Sequence, residues 1–555
     1  MNDVGVRRQS SGVRIALVGL LTFLPLAGGN LPVPQWLSKR FHPQTVELHD
    51  VQGLSDHIVD GRLELTVKTF LELVLKNSTD VNLARVDVYT AADQITVAEA
   101  PFDPTLSFGF NTFRSVTPES TQIGGAATLS SLTQNSFINY QQNLSTGQTV
   151  AAGFTASRSS TNSEFSFLNP NIVGTLNFQV TQPLLQGRNN IARLGPLRIA
   201  RTQLLITSSQ SEARIEDTLA AAAGQYWDAV RARDTIAVLK QTLDLAQSSY
   251  DRDRKALDLG ALAELDIYQS ETQVAERNRD LIQAQYAYRA ALDGLRRLIG
   301  ADLTTDLRET PLALTDDPSA LPPKAGILPF EQALAAALKA RPEMSAAEHR
   351  LEVDDLNARI ARNLLLPRLD LTAQGLTTGL GGNQVAIVGP LGITTPAVPG
   401  GFGDAFGQAL GFSYPSYGAS LQVSLPLHSK AAQAQLADAR VNRTRDGYAA
   451  RQTQQQITLD VRQALNSLDL ANASIEAAKR ARDLAEKNVQ AEQQKYELGS
   501  ITAFEVLDSQ SRLANAESAL LNAYVGYQQA FVSYQRATAE LLDGLGIILE
   551  NPKVR

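Results

Sequence analysis

Leu421-Gln422-Val423-Ser424-Leu425-Pro426-Leu427 decides the fold. Apolar and polar residues alternate with a period of two, the pattern of a strand with one oily face and one wet face. Proline then interrupts the ladder, since it has no N–H to donate and fixes its own φ. The chain passes at once into a helical stretch, residues 430 to 498, rich in Ala, Gln, Arg and Leu. The same passage has occurred once before. Leu176, Phe178 and Val180 alternate with Asn177, Gln179 and Thr181, then Gln182-Pro183-Leu184 ends the strand and a helical stretch from 196 to 258 follows. Each strand block also has an opening member: Leu106, Phe108 and Phe110 around Ser107 and Gly109, and Leu369 and Leu371 around Asp370.

The recurrence extends well beyond these strands. Leu245, Leu259, Gly260 and Ser270 return as Leu484, Leu498, Gly499 and Ser509, a constant offset of 484 − 245 = 239. Leu65, Leu71, Leu75, Lys76 and Pro104 return as Leu328, Leu334, Leu338, Lys339 and Pro367, an offset of 328 − 65 = 263. A unit this long, repeated with helices and strands in the same order, implies a pseudo-symmetric architecture.

At a rise of 1.5 Å per residue, the two long helical stretches would each extend about 95–100 Å. Each turns at a glycine, Gly260 or Gly499, and runs back. On the return, Ile267, Val274, Leu281, Tyr288 and Leu295 recur every seven residues, as do Val506, Leu513, Leu520, Tyr527, Tyr534 and Leu541. A seven-residue apolar period requires coiled-coil-like packing against neighbouring helices. A shorter helix is expected from Leu63 to about Ala100, with Leu71, Val74, Leu75 and Val81 on one face, ended by Pro101 and Pro104.

Composition narrows the function classes. The 555 residues carry a net charge of −7, contain 6% aromatics and lack cysteine. Nucleic acid is a poor partner for such a chain, which has no basic stripe. Without cysteine there is no disulfide, no Cys-ligated zinc and no lipidated N-terminal Cys. Arg7, Arg8 and Arg14 precede an apolar run from Ile15 to Leu26 and the small residues Ala27-Gly28-Gly29. That pattern reads as a secretory signal peptide over residues 1–29. No later stretch is apolar for the roughly 20 residues a spanning helix needs, so any membrane insertion uses strands. His42, His49 and His57 have no zinc-like spacing, and no phosphate loop or Ser/His/Asp set stands out, so the chain reads as a non-enzyme without metal or cofactor.

Residues 30–62 read as an irregular mature N-terminus, 63–300 as the first repeat, 301–327 as a linker, 328–545 as the second repeat and 546–555 as a tail. Gly/Ser/Thr-rich segments from Ser115 to Gln134 and from Gly379 to Tyr417 read as long exposed loops. Residues 136–157 suggest an extra hairpin around Ser145-Thr146-Gly147, present in the first repeat alone and without an assigned place.

The polar side of the strands is rich in Ser, Thr, Asn and Gln. Pointing it at water and the apolar side at lipid gives the two-sided pattern of an outer-membrane barrel; a half-buried sheet in a secreted, soluble coiled-coil structural or adaptor protein is the alternative. Four strands cannot close a barrel, since about eight is the practical minimum. Open edges are not tolerated in lipid, so the barrel reading requires several copies of the chain to pool their strands.

Helix, strands, proline step and long hairpin with a glycine tip, all duplicated, resemble the TolC-type outer-membrane efflux proteins over residues 63 to 545. The most specific elements are the tips, Leu259-Gly260-Ala261-Leu262-Ala263-Glu264-Leu265-Asp266-Ile267 and Tyr496-Glu497-Leu498-Gly499-Ser500-Ile501-Thr502-Ala503-Phe504-Glu505-Val506. The resemblance implies a mainly α fold with a transmembrane β-barrel. In that arrangement a homotrimer gives about four strands per protomer to a 12-stranded barrel in the outer membrane of a Gram-negative-type bacterium, above a periplasmic α-barrel. It also implies a periplasmic adaptor and an inner-membrane pump as partners.

By motif position, the resemblance puts tunnel-entrance carboxylates at Glu505 and Asp508, three apart on one helical face. It puts a tip latch at Tyr496 and Asp266, and the tip turn with adaptor docking at Gly260, Leu262, Gly499 and Ile501. Ile501 stands where the family has a basic latch residue and forms no salt bridge. Pro183 and Pro426 are the barrel-to-helix steps.

Overall fold

The computed structural model describes residues 48, 50–118, 127–163, 166–188, 190–260, 264–305, 307–322, 326–384, 400–498 and 500–542. The signal-peptide stretch lies outside them. From Val51 onward the chain forms one compact unit.

After a single 3-10 turn at Ser55–His57 come two short strands, β1 (Ile58–Val59) and β2 (Arg62–Leu65), so Leu63 and Leu65 are strand residues rather than the start of a helix. Helices α1 (Val67–Asn77) and α2 (Thr79–Glu99) follow. Thr66 and Thr69 exchange hydrogen bonds at the start of α1, the Thr69 N–H donating to Thr66 Oγ1 at 3.2 Å. Such a cap satisfies amides that have no partner within the helix. Ser78, extended at ψ 129°, separates the two helices where a single one was expected. Residue 312 opens β7 (Leu312–Leu314), which pairs in parallel with β2 and so ties the segment between the repeats to the start of the first.

Two hairpins dominate the fold. α3 (Asn190–Asp258) and α4 (Glu264–Ile299) form the first; α8 (Lys430–Glu497) and α9 (Ala503–Thr538) form the second. Pro196 sits inside α3 near its start. α5 (Phe330–Ala340) and α6 (Pro342–Asn363) occupy in the second repeat the place of α1 and α2 in the first. The duplication is visible in the packing. Ala222 and Ala229 lie in one hydrophobic core with Phe70, Tyr226 and Leu295, and their partners at the 239 offset, Val461 and Leu468, lie in a second core with Tyr527 and Tyr534. Every residue of the two seven-residue series is buried or half-buried, as helix–helix seams require.

The main sheet corrects the expected strand number. It has six antiparallel strands in the order β3-β4-β5-β6-β8-β9: β3 (Thr105–Pro118), β4 (Thr128–Asn143), β5 (Thr149–Thr161), β6 (Leu168–Pro183), β8 (Arg368–Gln384) and β9 (Pro415–Ser424). The four expected strands are β3, β6, β8 and β9. The unplaced hairpin is β4 and β5, and it lies inside the sheet between β3 and β6. Much of the segment read as a loop from 115 to 134 is strand. Ser, Thr and Asn dominate there, and a strand wet on one face and thinly apolar on the other reads as loop when its large residues are sparse. The second presumed loop is also partly ordered. Residues 379–384 belong to β8, and α7 (Phe402–Leu410) lies between β8 and β9; residues 385–399 lie outside the described part.

Candidate channel wall and tunnel tip

Strand register sorts the side chains of the sheet into two faces. Leu106, Phe108 and Phe110 of β3 lie in rows with Tyr140, Ile138 and Ser136 of β4, and through Ala152, Phe154 and Ala156 of β5 with Phe178, Leu176 and Gly174 of β6. The rows continue through Gly375 and Thr377 of β8 to Tyr417 of β9, with Leu421 and Val423 further along the same face. Many of these large apolar side chains are open to the surroundings, Phe108 by 69% and Tyr417 by 92%. The opposite face carries Ser107, Asn111, Asn135, Asn139, Thr155, Ser157, Thr175, Asn177, Gln179, Thr372, Gln374, Ser420 and Gln422, interrupted by Phe113, Phe137, Leu376 and Leu380. Phe137 is accommodated because it stands opposite Gly109, where a Cβ would come within 2.3 Å of the ring. A glycine under an aromatic neighbour keeps such a strand pair packed.

α7 sits on the apolar face. Phe402 and Phe406 meet the ring of Phe154 edge-on, with centroids 6.2 and 5.3 Å away. Ala405 rests directly over Gly379, where an added Cβ would lie 1.8 Å from its carbonyl oxygen.

Pro183 and Pro426 both lie at the helix end of the sheet. Pro183 closes β6 opposite Asp370, and the pairing continues past it, with Leu184 N–H donating to Leu369 O at 2.7 Å and Gly187 N–H to Asn363 Oδ1 at 2.9 Å. Pro426 follows the end of β9.

At the far end of the hairpins, Gly260 has φ +74° and its N–H donates to Leu257 O at 2.8 Å. Only glycine takes that backbone region without cost. Leu262 and Gly499 lie outside the described residues. Leu259 and Leu498, equivalent by the 239 offset, are each 84% exposed, and Tyr268 and Phe504 flank a cleft with Gln269, Thr272, Gln273 and Leu507. Ile501 is half-buried just before α9.

Tyr496 joins the two hairpins through Asp253. Its hydroxyl donates to Asp253 Oδ1 at 3.3 Å, Ser270 Oγ donates to Asp253 Oδ2, and Arg252 lies over the Tyr496 ring with 6.0 Å to the centroid. The side chain of Asp266 lies outside the described part. Asp253 is only 3% exposed. Burial raises the Tyr496 pKa, and the charge of Asp253 raises it further. Sequence reading missed Asp253 because its counterpart by the 239 offset is Glu492 and only one hairpin places an acid opposite Tyr496.

Glu505 and Asp508 each have a local partner. Glu505 Oε2 accepts the Thr502 N–H at 3.1 Å and so caps α9. Asp508 is bound by Arg512 at 2.7 Å, one turn on. Arg512 therefore pairs with one of these two carboxylates.

A further cluster is assembled from residues far apart in sequence. Arg536 on α9 meets Asp217 Oδ1 at 2.7 Å, Glu343 Oε1 at 2.6 Å and Glu216 Oε2 at 3.0 Å, while Arg341 spans Glu343 and Asp460 at 2.8 and 2.7 Å. Burial pushes the Glu216 carboxyl up to about 7 despite the nearby Arg536 charge. Burial acts upward on Glu343 too, but hydrogen bonds and charge from Arg341 and Arg536 outweigh it and hold that group at about 2.

A six-stranded sheet with one apolar and one polar face, continuous with two long helical hairpins, defines the architecture. The profile of the outer membrane efflux protein family matches residues 70–301 and 333–540, and the chain belongs to that family. Over 183 residues it is 29% identical to the toluene efflux pump outer membrane protein TtgC of Pseudomonas putida, covering 32% of this chain and 36% of TtgC. Protein CyaE of Bordetella pertussis is 26% identical over 181 residues, 33% of this chain and 37% of CyaE. The chain thus aligns with little more than a third of the length of these curated relatives. Among solved structures, the Campylobacter jejuni CmeC outer membrane channel superimposes with a TM-score of 0.60 at 15% identity, covering 90% of each chain. The open state of the Neisseria gonorrhoeae MtrE channel gives 0.58 at 16%, covering 86% of this chain and 89% of MtrE. The overall fold is that of these TolC-like channels.

Proposed function

We propose that three copies of this chain form a passive exit duct in the outer membrane, the outermost part of a tripartite efflux or type I secretion system. It conducts solutes delivered by a periplasmic adaptor and an inner-membrane pump, and performs no chemistry of its own. The observation that carries this reading is the two-faced sheet. Its exposed Phe108, Phe110, Phe178, Tyr417, Leu421 and Val423 lie on one face of the sheet, and exposed apolar clusters of this kind mark membrane or partner surfaces. A secreted soluble coiled-coil protein would leave that surface in water.

In this reading Pro183 and Pro426 redirect the chain from wall to tunnel, while Glu505 and Asp508 face the tunnel entrance. Tyr496 holds the two hairpins of one protomer together through Asp253. Gly260, Gly499, Leu262 and Ile501, with the exposed Leu259 and Leu498, form the tip that receives the adaptor. Density-gradient separation of membranes tests the placement: the protein should band with outer membrane and leave it only in detergent. Recovery in the soluble fraction after lysis contradicts it. Photo-crosslinking from residue 259 in the living cell should capture one adaptor protein and should fail from residue 470, midway along α8.

A further inference from the structure

The β4–β5 hairpin is a part of the wall. Its residues keep the same two faces as their neighbours: Ile138, Tyr140, Val150 and Phe154 on the apolar side, and Asn135, Asn139, Thr155 and Ser157 on the polar side. β4 pairs with β3 along the whole of β3, from Thr105–Gln141 to Pro118–Thr128, and β5 pairs with β6 from Thr149–Thr181 to Ser159–Asn171. The hairpin turns on the helix side through a tight bend, where Gly147 N–H donates to Leu144 O at 2.9 Å and Gly147 has φ +106°. Its base is fixed there by Asn143 Nδ2 donating to Pro101 O at 3.1 Å and Gln142 Nε2 to Phe102 O at 3.3 Å. Short turns on the periplasmic side and longer connections outside are what a membrane barrel shows.

Among the described residues, β3 and β9 are the two edges of the sheet, each with one side unpaired. β3 runs away from the helices and β9 runs back toward them. One copy's β9 therefore lies antiparallel to the next copy's β3 when copies follow one another around an axis. Unpaired backbone is excluded from hydrocarbon, so these edges demand a partner, and a second copy of this chain supplies the complementary one.

We infer that the outer-membrane wall of this protein has 18 strands, six from each of three copies, joined β9 to β3. The trimer itself rests on the proposed function; the strand number does not follow from it. Barrel diameter grows roughly linearly with strand number, so this wall is about 1.5 times as wide as a 12-stranded one and about 2.3 times its cross-section. Its lining is also nearly neutral. Among the described residues of the polar face, the charged pair is Arg368 with Asp370, 2.5 Å apart at the helix end. The wide mouth thus neither sieves nor selects by charge: large polar cargo is limited by the helical tip alone.

The absence of cysteine permits a direct test with introduced thiols and a short bifunctional thiol reagent. Cross-linked peptides should join S107C on β3 to N139C on β4 within one chain, and a panel on β9 (S420C, Q422C, S424C) to S107C on the next, giving covalent trimers. S107C with N177C on β6 should give none. A β3–β6 link in a trimeric preparation would mean that the hairpin stands outside a 12-stranded wall, and overturns the inference. Trimers that never form, with no pore activity, would instead remove the proposed function beneath it.

Pore sizing gives an independent reading. Polyethylene glycols of graded size, added to the exterior side, should enter the intact channel up to a diameter about 1.5 times that of a variant lacking residues 119–167, in which β3 passes directly to β6. Equal cut-offs in the two proteins contradict an 18-stranded wall. If the deletion variant does not assemble, the cross-link pattern of the full chain decides alone.

Discussion

Tyr496 on the second hairpin donates its hydroxyl to Asp253 on the first, 3.3 Å away. This bond joins the two pseudo-repeats near the glycine turns of their hairpins. Among the described residues no cation forms an ion pair with Asp253, and the Tyr496 and Ser270 hydroxyls donate to its two oxygens. Removing the acid strands two partly buried hydroxyls, a loss of about 1–3 kcal/mol.

Asp253→Ala should therefore loosen the tip and raise single-channel conductance, with Tyr496→Phe giving a smaller rise in the same direction. Asp266→Ala should do less than either. Planar-bilayer recordings of the three variants check the order, and an Asp266→Ala effect exceeding that of Asp253→Ala would reverse the assignment.

Charge at the entrance gives a second prediction. Arg512 pairs with Asp508, so Arg512→Ala frees a carboxylate and should increase cation preference. Glu505→Ala with Asp508→Ala should abolish it. Reversal potentials under a salt gradient measure both. An exposed pair of this kind contributes no more than about 1 kcal/mol to stability, so melting temperatures should hardly move.

The buried cluster around Arg536 predicts a pH profile. A carboxyl whose folded pKa exceeds its unfolded value holds its proton more tightly in the folded state. With Glu216 raised from 4.5 to about 7, stability falls as pH rises through that window and then levels off. Glu343, lowered from 4.5 to about 2, has the opposite sign: its contribution is complete above 4.5 and is lost as pH falls toward 2. Thermal unfolding in detergent should show Glu216→Gln flattening the decline between pH 5 and 7. Arg536→Met leaves Glu216 and Glu343 without their shared cation and should cost about 3–5 kcal/mol.

Gly379 supplies a test of how α7 is seated. Gly379→Val drives a side chain into the Ala405 carbonyl, so α7 should detach and the 402–410 segment should become sensitive to protease added outside the cell. Gly407→Ala, which meets nothing within 4 Å, should leave it protected.

The duplicated pattern and the proline steps were legible because period two, period seven and proline each leave a direct mark in sequence. The 239 offset carried the equivalence of Leu259 and Leu498 without any structure. The β4 and β5 strands were not placed, because Ser130, Ser131, Ser157 and Ser159 resemble a loop until strand partners are known. Asp253 was invisible for a different reason: its role depends on Tyr496, 243 residues away. The Arg536 cluster draws on four segments, around residues 216, 341, 460 and 536, so no local window holds it.

In the proposed duct, alternating strands from several copies enclose water within lipid. Purified protein reconstituted into a planar bilayer tests it most directly, by single-channel recording. Discrete, long-lived conductance steps are expected from a detergent-stable trimer, with the steps lost after the sheet is disrupted by Phe108→Asp and Phe178→Asp. A protein that remains monomeric in dilute buffer without detergent, and leaves the bilayer electrically silent, would contradict it.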